Sequence, residues 1–138
     1  MSESPFKFVA DEEVTKIAKA YTEEIVDYAR KVFKINFDFS EQSIKYVELL
    51  CEKIYEMKNK TTEETIMNYT RALGSYVGEV YIKHHGGEWG LITYDGNTFP
   101  GIRSTKQHQF WPWGRVLNRI EEGPENNVWH YYLSLTRD

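Results

Sequence analysis

Glu79, His84 and His85 come closest to a catalytic grouping in this chain, because a carboxylate near two imidazoles offers a general base and nitrogen ligands for a metal. Glu88, His108 and His130 could join them. The spacing argues against both uses. Adjacent histidines on a helix point about 100° apart. No His-Glu-x-x-His run is present, and the single cysteine, Cys51, excludes a multi-thiolate zinc site. No metal site, cofactor or catalytic residue is expected. A Glu beside Gly78 in mid-helix is better explained as a partly buried charge, with Arg103 or Arg115 as its partner.

A second grouping runs from Arg103 to Arg115, where RSTKQHQFWPWGR interleaves cations with Phe110, Trp111 and Trp113. Such a segment could bind single-stranded nucleic acid, with Trp111 and Trp113 stacking on bases and Arg103 contacting phosphate. The alternative is a loop whose rings cover the hairpin and helices while its arginines pair with acids elsewhere. The net charge of −4, from 17 basic and 21 acidic residues, favours the alternative, since polyanion binding rests on a summed positive field. Residues 1–64 hold 14 acids against 10 bases, whereas residues 65–138 hold 7 of each. No acid lies between Gly96 and Ile120. Nucleophile elbows, phosphate loops and dinucleotide fingerprints are absent, and Gly86-Gly87 follows a helix where a phosphate cradle must precede one.

The elements that must position these residues read as a single α+β domain over residues 11–138, preceded by a flexible arm over 1–10. Val14, Ile17, Ala18, Tyr21, Ile25, Tyr28, Ala29 and Val32 recur at helical spacing behind an Asp11 N-cap, which predicts a first helix of about six turns. Ser40 opens a second helix that ends near Met57, and the Thr61 to Glu64 run has capping-box spacing for a third, ending at His84-His85 and Gly86. Gly74 and Gly78 lie four apart inside the third helix, so another group must approach closely there to offset about 1 kcal/mol each. Asp95-Gly96 between Trp89–Tyr94 and Asn97-Thr98-Phe99 predicts a hairpin, and Pro112 and Gly123 bracket a fourth helix. Residues 128–135 fit a helix or a strand.

A lone cysteine and the lack of any long apolar run fit a cytoplasmic protein with no membrane span. The 15% aromatic share, including 10 Tyr and 4 Trp, exceeds what a core of this size needs, so some rings are expected to line an interface.

The stretch Gly74-Ser75-Tyr76-Val77-Gly78-Glu79, followed by Gly86-Gly87-Glu88-Trp89, resembles a family of small uncharacterised bacterial domains sharing a Gly-x-Tyr-x-Gly-Glu helix and a Gly-Gly-x-Trp turn. Phe39-Ser40-Glu41-Gln42-Ser43 and the Pro-x-x-x-Val-x-x-Arg-Ile run from Pro112 to Ile120 match its flanks, so the resemblance spans residues 36–135. Trp113-Gly114 departs from the pattern, which questions the first turn of the fourth helix. The resemblance implies a three-helix and small-sheet fold. It also implies a role like that of immunity or accessory proteins encoded beside secreted toxins, with no catalytic role to carry over.

The resulting expectation is a non-catalytic protein-interaction module. Its candidate binding residues are Glu79, His84, His85, Trp89, Arg103, Trp111, Trp113 and Arg115, and its partner is a toxin or other basic protein met by exposed acids such as Glu23, Glu24, Asp27 and Glu48. The rivals are a small hydrolase or nuclease using Glu79 with His84 or His85, assisted by Arg115, and the single-stranded nucleic-acid binder. Oligomeric state is open.

Overall fold

Asp11 ends one element and begins another. Its backbone N–H donates to the Trp89 carbonyl at 3.3 Å, while its carboxylate accepts from the Val14 N–H at 2.9 Å and caps α1 (Glu12–Tyr28). Glu12 and Glu13 complement the positive end of that helix. The computed structural model describes residues 5–137, and within them the expected α+β architecture is present. The end of the expected flexible arm is not loose: Lys7–Ala10 form a strand, β1, held in register against Leu91, Ile92 and their neighbours. Residues 1–4 lie outside the described residues. Four residues are too few to show a strand period, which is why this element escapes a reading by pattern.

After α1 the chain widens into a π-turn over Ala29–Phe33, closed by Lys34 in the left-handed region (φ 59°), so the helix is shorter than its apolar period suggests. Helices α2 (Ile44–Met57) and α3 (Glu63–His85) follow. The cap of α3 is Thr62, whose hydroxyl accepts from Thr65 N–H, one residue later than the capping-box spacing indicates. α3 is the central element, buried continuously from Ala72 to Gly78 and packed against α1 and α4. Its two glycines are each covered by a tryptophan. A Cβ on Gly74 would lie 2.7 Å from the Trp113 ring, and one on Gly78 would lie 2.3 Å from the Trp89 ring. The helical cost of both glycines is therefore offset by burying two indoles against bare backbone.

β2 (Glu88–Tyr94) and β3 (Asn97–Arg103) form the expected hairpin, with Asp95 (φ 51°) and Gly96 (φ 79°) both left-handed as a two-residue primed turn requires. β4 (Gln109–Phe110) completes an antiparallel sheet in the order β1-β2-β3-β4. α4 (Pro112–Glu122) starts with Pro112 in its first turn despite the Trp113-Gly114 pair. The ambiguous terminal run is helical, as α5 (Val128–Leu135), capped by Asn127 accepting from His130 N–H.

Strand alternation divides the sheet's faces. Trp89, Ile102 and Phe110 turn toward the helices and are buried in the main core. On the opposite face Phe8, Ile92 and Phe99 share one rung across three strands. Ile92 is 0% exposed there, sealed by its rung neighbours and by lying over Gly101. The outer face thus carries a small apolar layer of its own, extended by Phe6 stacked on Tyr94 at 4.4 Å and by Trp111 against Phe99 at 5.1 Å.

Candidate functional site

Glu79 accepts from the Trp89 indole N–H at 2.9 Å. Its partner is that indole, and neither Arg103 nor Arg115 pairs with it, which corrects the expected charge pair. The bond holds Trp89 in place over Gly78, so Glu79 and Trp89 position the sheet on α3. His84 hydrogen-bonds the Phe39 carbonyl at 2.9 Å, and His85 meets Glu41 at 2.8 Å. Glu79 lines a cleft with Lys19, Lys83 and Trp89, whereas His85 lines a different one with Ser104 and His108. The structure therefore does not assemble Glu79 and the histidines into one grouping. Among the described residues no three His, Cys, Asp or Glu side chains come together as a metal site.

The histidines instead tie the end of α3 to the segment before α2. Glu41 accepts from Tyr132 Oη at 2.5 Å as well as facing His85, so one carboxylate joins α3, α5 and the turn that opens α2. Burial opposes ionisation of Glu41, but the hydrogen bonds from Tyr132 and His85 outweigh it and hold the carboxyl below its usual range. Nearby, Tyr76 Oη accepts from Phe39 N–H at 2.9 Å and meets Ser43 Oγ at 2.6 Å, so the Phe-Ser-x-x-Ser run and the Gly-x-Tyr helix converge on one hydroxyl.

The acid excess of the first half finds a use inside the protein. Arg119 is 2% exposed, donating through Nε to Glu48 and through Nη2 to Glu52 at 2.6 Å. Glu48 also accepts from Val128 N–H at 2.9 Å, fixing the start of α5. Glu48, with its side chain 17% exposed, is thus a largely buried structural acid and is removed from the exposed acids proposed to meet a partner; Glu23 and Glu24 remain exposed. Arg119 is the Arg of the Pro-x-x-x-Val-x-x-Arg-Ile run, and its place between Val116 and Ile120 on a buried helix face was the available signal of a buried cation.

Arg103 pairs with Glu88 at 2.9 Å and stacks on Phe8 at 4.7 Å. Trp113 turns inward, donating to Ser75 Oγ at 2.9 Å and meeting Tyr21 edge-on. These two residues are thereby separated in role from Trp111, and the nucleic-acid reading loses two of its three contacts.

Besides Glu79 and Trp89, the structure brings together two further expected site residues, Trp111 and Arg115. They line a cleft of about 360 Å³ with Gln109, Asn118 and Tyr131, on the seam between β4, α4 and α5. Trp111, Gly114, Arg115 and Asn118 share the cleft because three- and four-residue steps fall on one helix face. The Arg115 guanidinium stacks on Tyr131 at 4.7 Å, and its hydrogen bond to Asn126 is 3.5 Å long. Burial raises the Tyr131 phenol above its ordinary range, with Arg115 pulling the other way, so the phenol is neutral at physiological pH. Trp111 also forms the wall of a second, mostly apolar cleft of about 200 Å³ with Phe99, Pro100 and Trp113. The indole N–H groups of Trp89 and Trp113 have internal acceptors; that of Trp111 has none among the described residues.

No family model matches the chain, and no curated protein matches it. A crystal structure of a protein from Bacteroides thetaiotaomicron VPI-5482 is similar, with a TM-score of 0.70 at 13% identity over 97% of this chain. The chain spans 48% of that protein's length. The likeness is one of fold. Among the described residues no helix is long and apolar enough to cross a membrane.

Proposed function

We propose that this chain is a non-catalytic recognition module and that the surface around Trp111 is where a protein partner docks. The observation that supports this reading is the position of Trp111: half-buried, with an indole N–H that has no acceptor among the described residues, touching Phe6 and Phe99 of the outer sheet face and walling two clefts. Aromatic anchors of that kind dominate interface energetics, having an apolar body and one polar handle. The other candidates, Glu79, His84, His85, Trp89, Arg103 and Trp113, have internal partners that account for them. The immunity-like role implied by the sequence resemblance fits a module of this type, and the exposed Glu23 and Glu24 would favour a basic partner.

The test is affinity capture from native extract with the unaltered protein, Trp111→Ala and an α1 surface variant, followed by mass-spectrometric identification. A stoichiometric protein retained by the unaltered chain and lost with Trp111→Ala supports the reading. Equal retention by Trp111→Ala moves the interface elsewhere, and turnover of a hydrolase substrate that disappears in Glu79→Gln would replace the module with an enzyme.

A further inference from the structure

The three arginines between Gly96 and Ile120 differ in one respect. Arg103 has Glu88 and Arg119 has Glu48 and Glu52, but Arg115 meets no carboxylate among the described residues. Its hydrogen bond to Asn126 Oδ1, at 3.5 Å, lies at the outer limit of such bonds. Stacking on Tyr131 fixes the guanidinium plane and leaves its fork under-used.

The surroundings are those of a receptor for a single negative charge. None of the seven residues lining the cleft is acidic, and Arg115 is its only cation. Asn118 supplies an amide and Tyr131 a neutral phenol. Gln109 lines the cleft and carries a side-chain oxygen that is buried with no hydrogen-bond partner among the described residues, an acceptor that a ligand N–H would satisfy once the amide turns toward the cleft. One arginine among neutral groups suits a carboxylate better than a phosphate, whose second charge would go unmatched. Next to it, across Trp111 and Gly114, lies the apolar cleft of Phe99, Pro100 and Trp113.

We infer that the Arg115 cleft binds a carboxylate whose neighbouring carbon carries an N–H and an apolar or aromatic side chain, with the carboxylate on Arg115 and the side chain across Trp111. Two sources share this chemistry: a free N-acylated amino acid and the C-terminal residue of a peptide. The inference rests on reading the Trp111 surface as a recognition surface, and it names the group recognised there.

The experiment is a titration of the ¹⁵N-labelled protein with N-acetyltryptophan, its methyl ester, and a short peptide ending in Trp as acid or amide, followed through indole and Arg side-chain resonances. The acids should shift Trp111 and Arg115 signals, while ester and amide should bind at least about tenfold more weakly, as expected for loss of a charge-assisted bond. Arg115→Gln should abolish the discrimination and Arg115→Lys should restore part of it. Tighter binding of the peptide acid than of N-acetyltryptophan would identify a peptide end as the source; equal binding would identify the small molecule. Equal affinity for acid and ester, or no binding of any probe, would overturn the inference. If Arg115→Gln fails to fold, the comparison of acid with ester on the unaltered protein decides alone. Acid-selective binding without any captured protein would sink the protein-partner reading and leave this one standing.

Discussion

Arg119 Nε donates to both carboxylate oxygens of Glu48, at 3.1 and 2.8 Å, across 71 positions of sequence. Around this pair α2, α4 and the start of α5 are joined, with Glu52 as a second acceptor and the Tyr55 ring below the guanidinium.

Arg119→Met should therefore destabilise the fold by about 3–5 kcal/mol, because it strands the largely buried Glu48 carboxylate without its cation. Adding Glu48→Gln should recover part of that loss, since the amide oxygen can still accept from Val128 N–H without carrying charge. Urea denaturation of the three proteins measures both effects. A double variant no better than the single one would mean that desolvation of the charge is not the source of the loss.

Gly78→Ala would stabilise an isolated helix by about 1 kcal/mol. In this protein the sign should reverse, with a loss of about 1–3 kcal/mol, because the new methyl group meets the buried Trp89 ring that Glu79 holds in place. Thermal unfolding gives the sign, and near-ultraviolet circular dichroism should report a displaced indole.

Cys51 is fully buried, and burial, reinforced by the negative charge of Glu48, pushes its thiol far above the ordinary range. The native protein should not react with a thiol reagent such as DTNB, and one equivalent should react on unfolding. Fast reaction of the folded protein would show that the α2 face opens readily.

Glu41 is held below its usual carboxyl range in the folded state. A group of that kind contributes stability above its unfolded pKa, and the contribution is lost as pH falls through the folded one. Unfolding free energy should decline on acidification between about pH 5 and pH 3. Tyr132→Phe removes a hydrogen bond to Glu41 and should flatten that part of the profile. An unchanged slope would assign the acid sensitivity to other carboxylates.

Local features of this fold are written in local spacing. Asp11 capping α1, Asp95-Gly96 turning the hairpin, and Pro112 and Gly123 bracketing α4 all act over a few residues, and each is readable from the chain. The glycine pair in α3 announces a close approach, although not that two tryptophans make it. What escapes reading is long-range pairing. Nothing near Glu48 marks it as the partner of an arginine 71 positions away, and Glu79 gives no sign that an indole is its donor. The same applies to the site. Trp111 and Arg115 are conspicuous by type, but Asn118, Gln109 and Tyr131 join them through the meeting of β4, α4 and α5, which no spacing encodes.

The sheet's margins have a bearing on solubility. One margin is the four-residue β1 and the other is the two-residue β4, which pairs only with Ile102 and Arg103. The part of β3 that β4 leaves uncovered contains Pro100, which has no N–H to offer an incoming strand. A second chain seeking to extend this sheet would find little template at either margin, so the aromatic outer face does not invite amyloid-like stacking of the protein on itself.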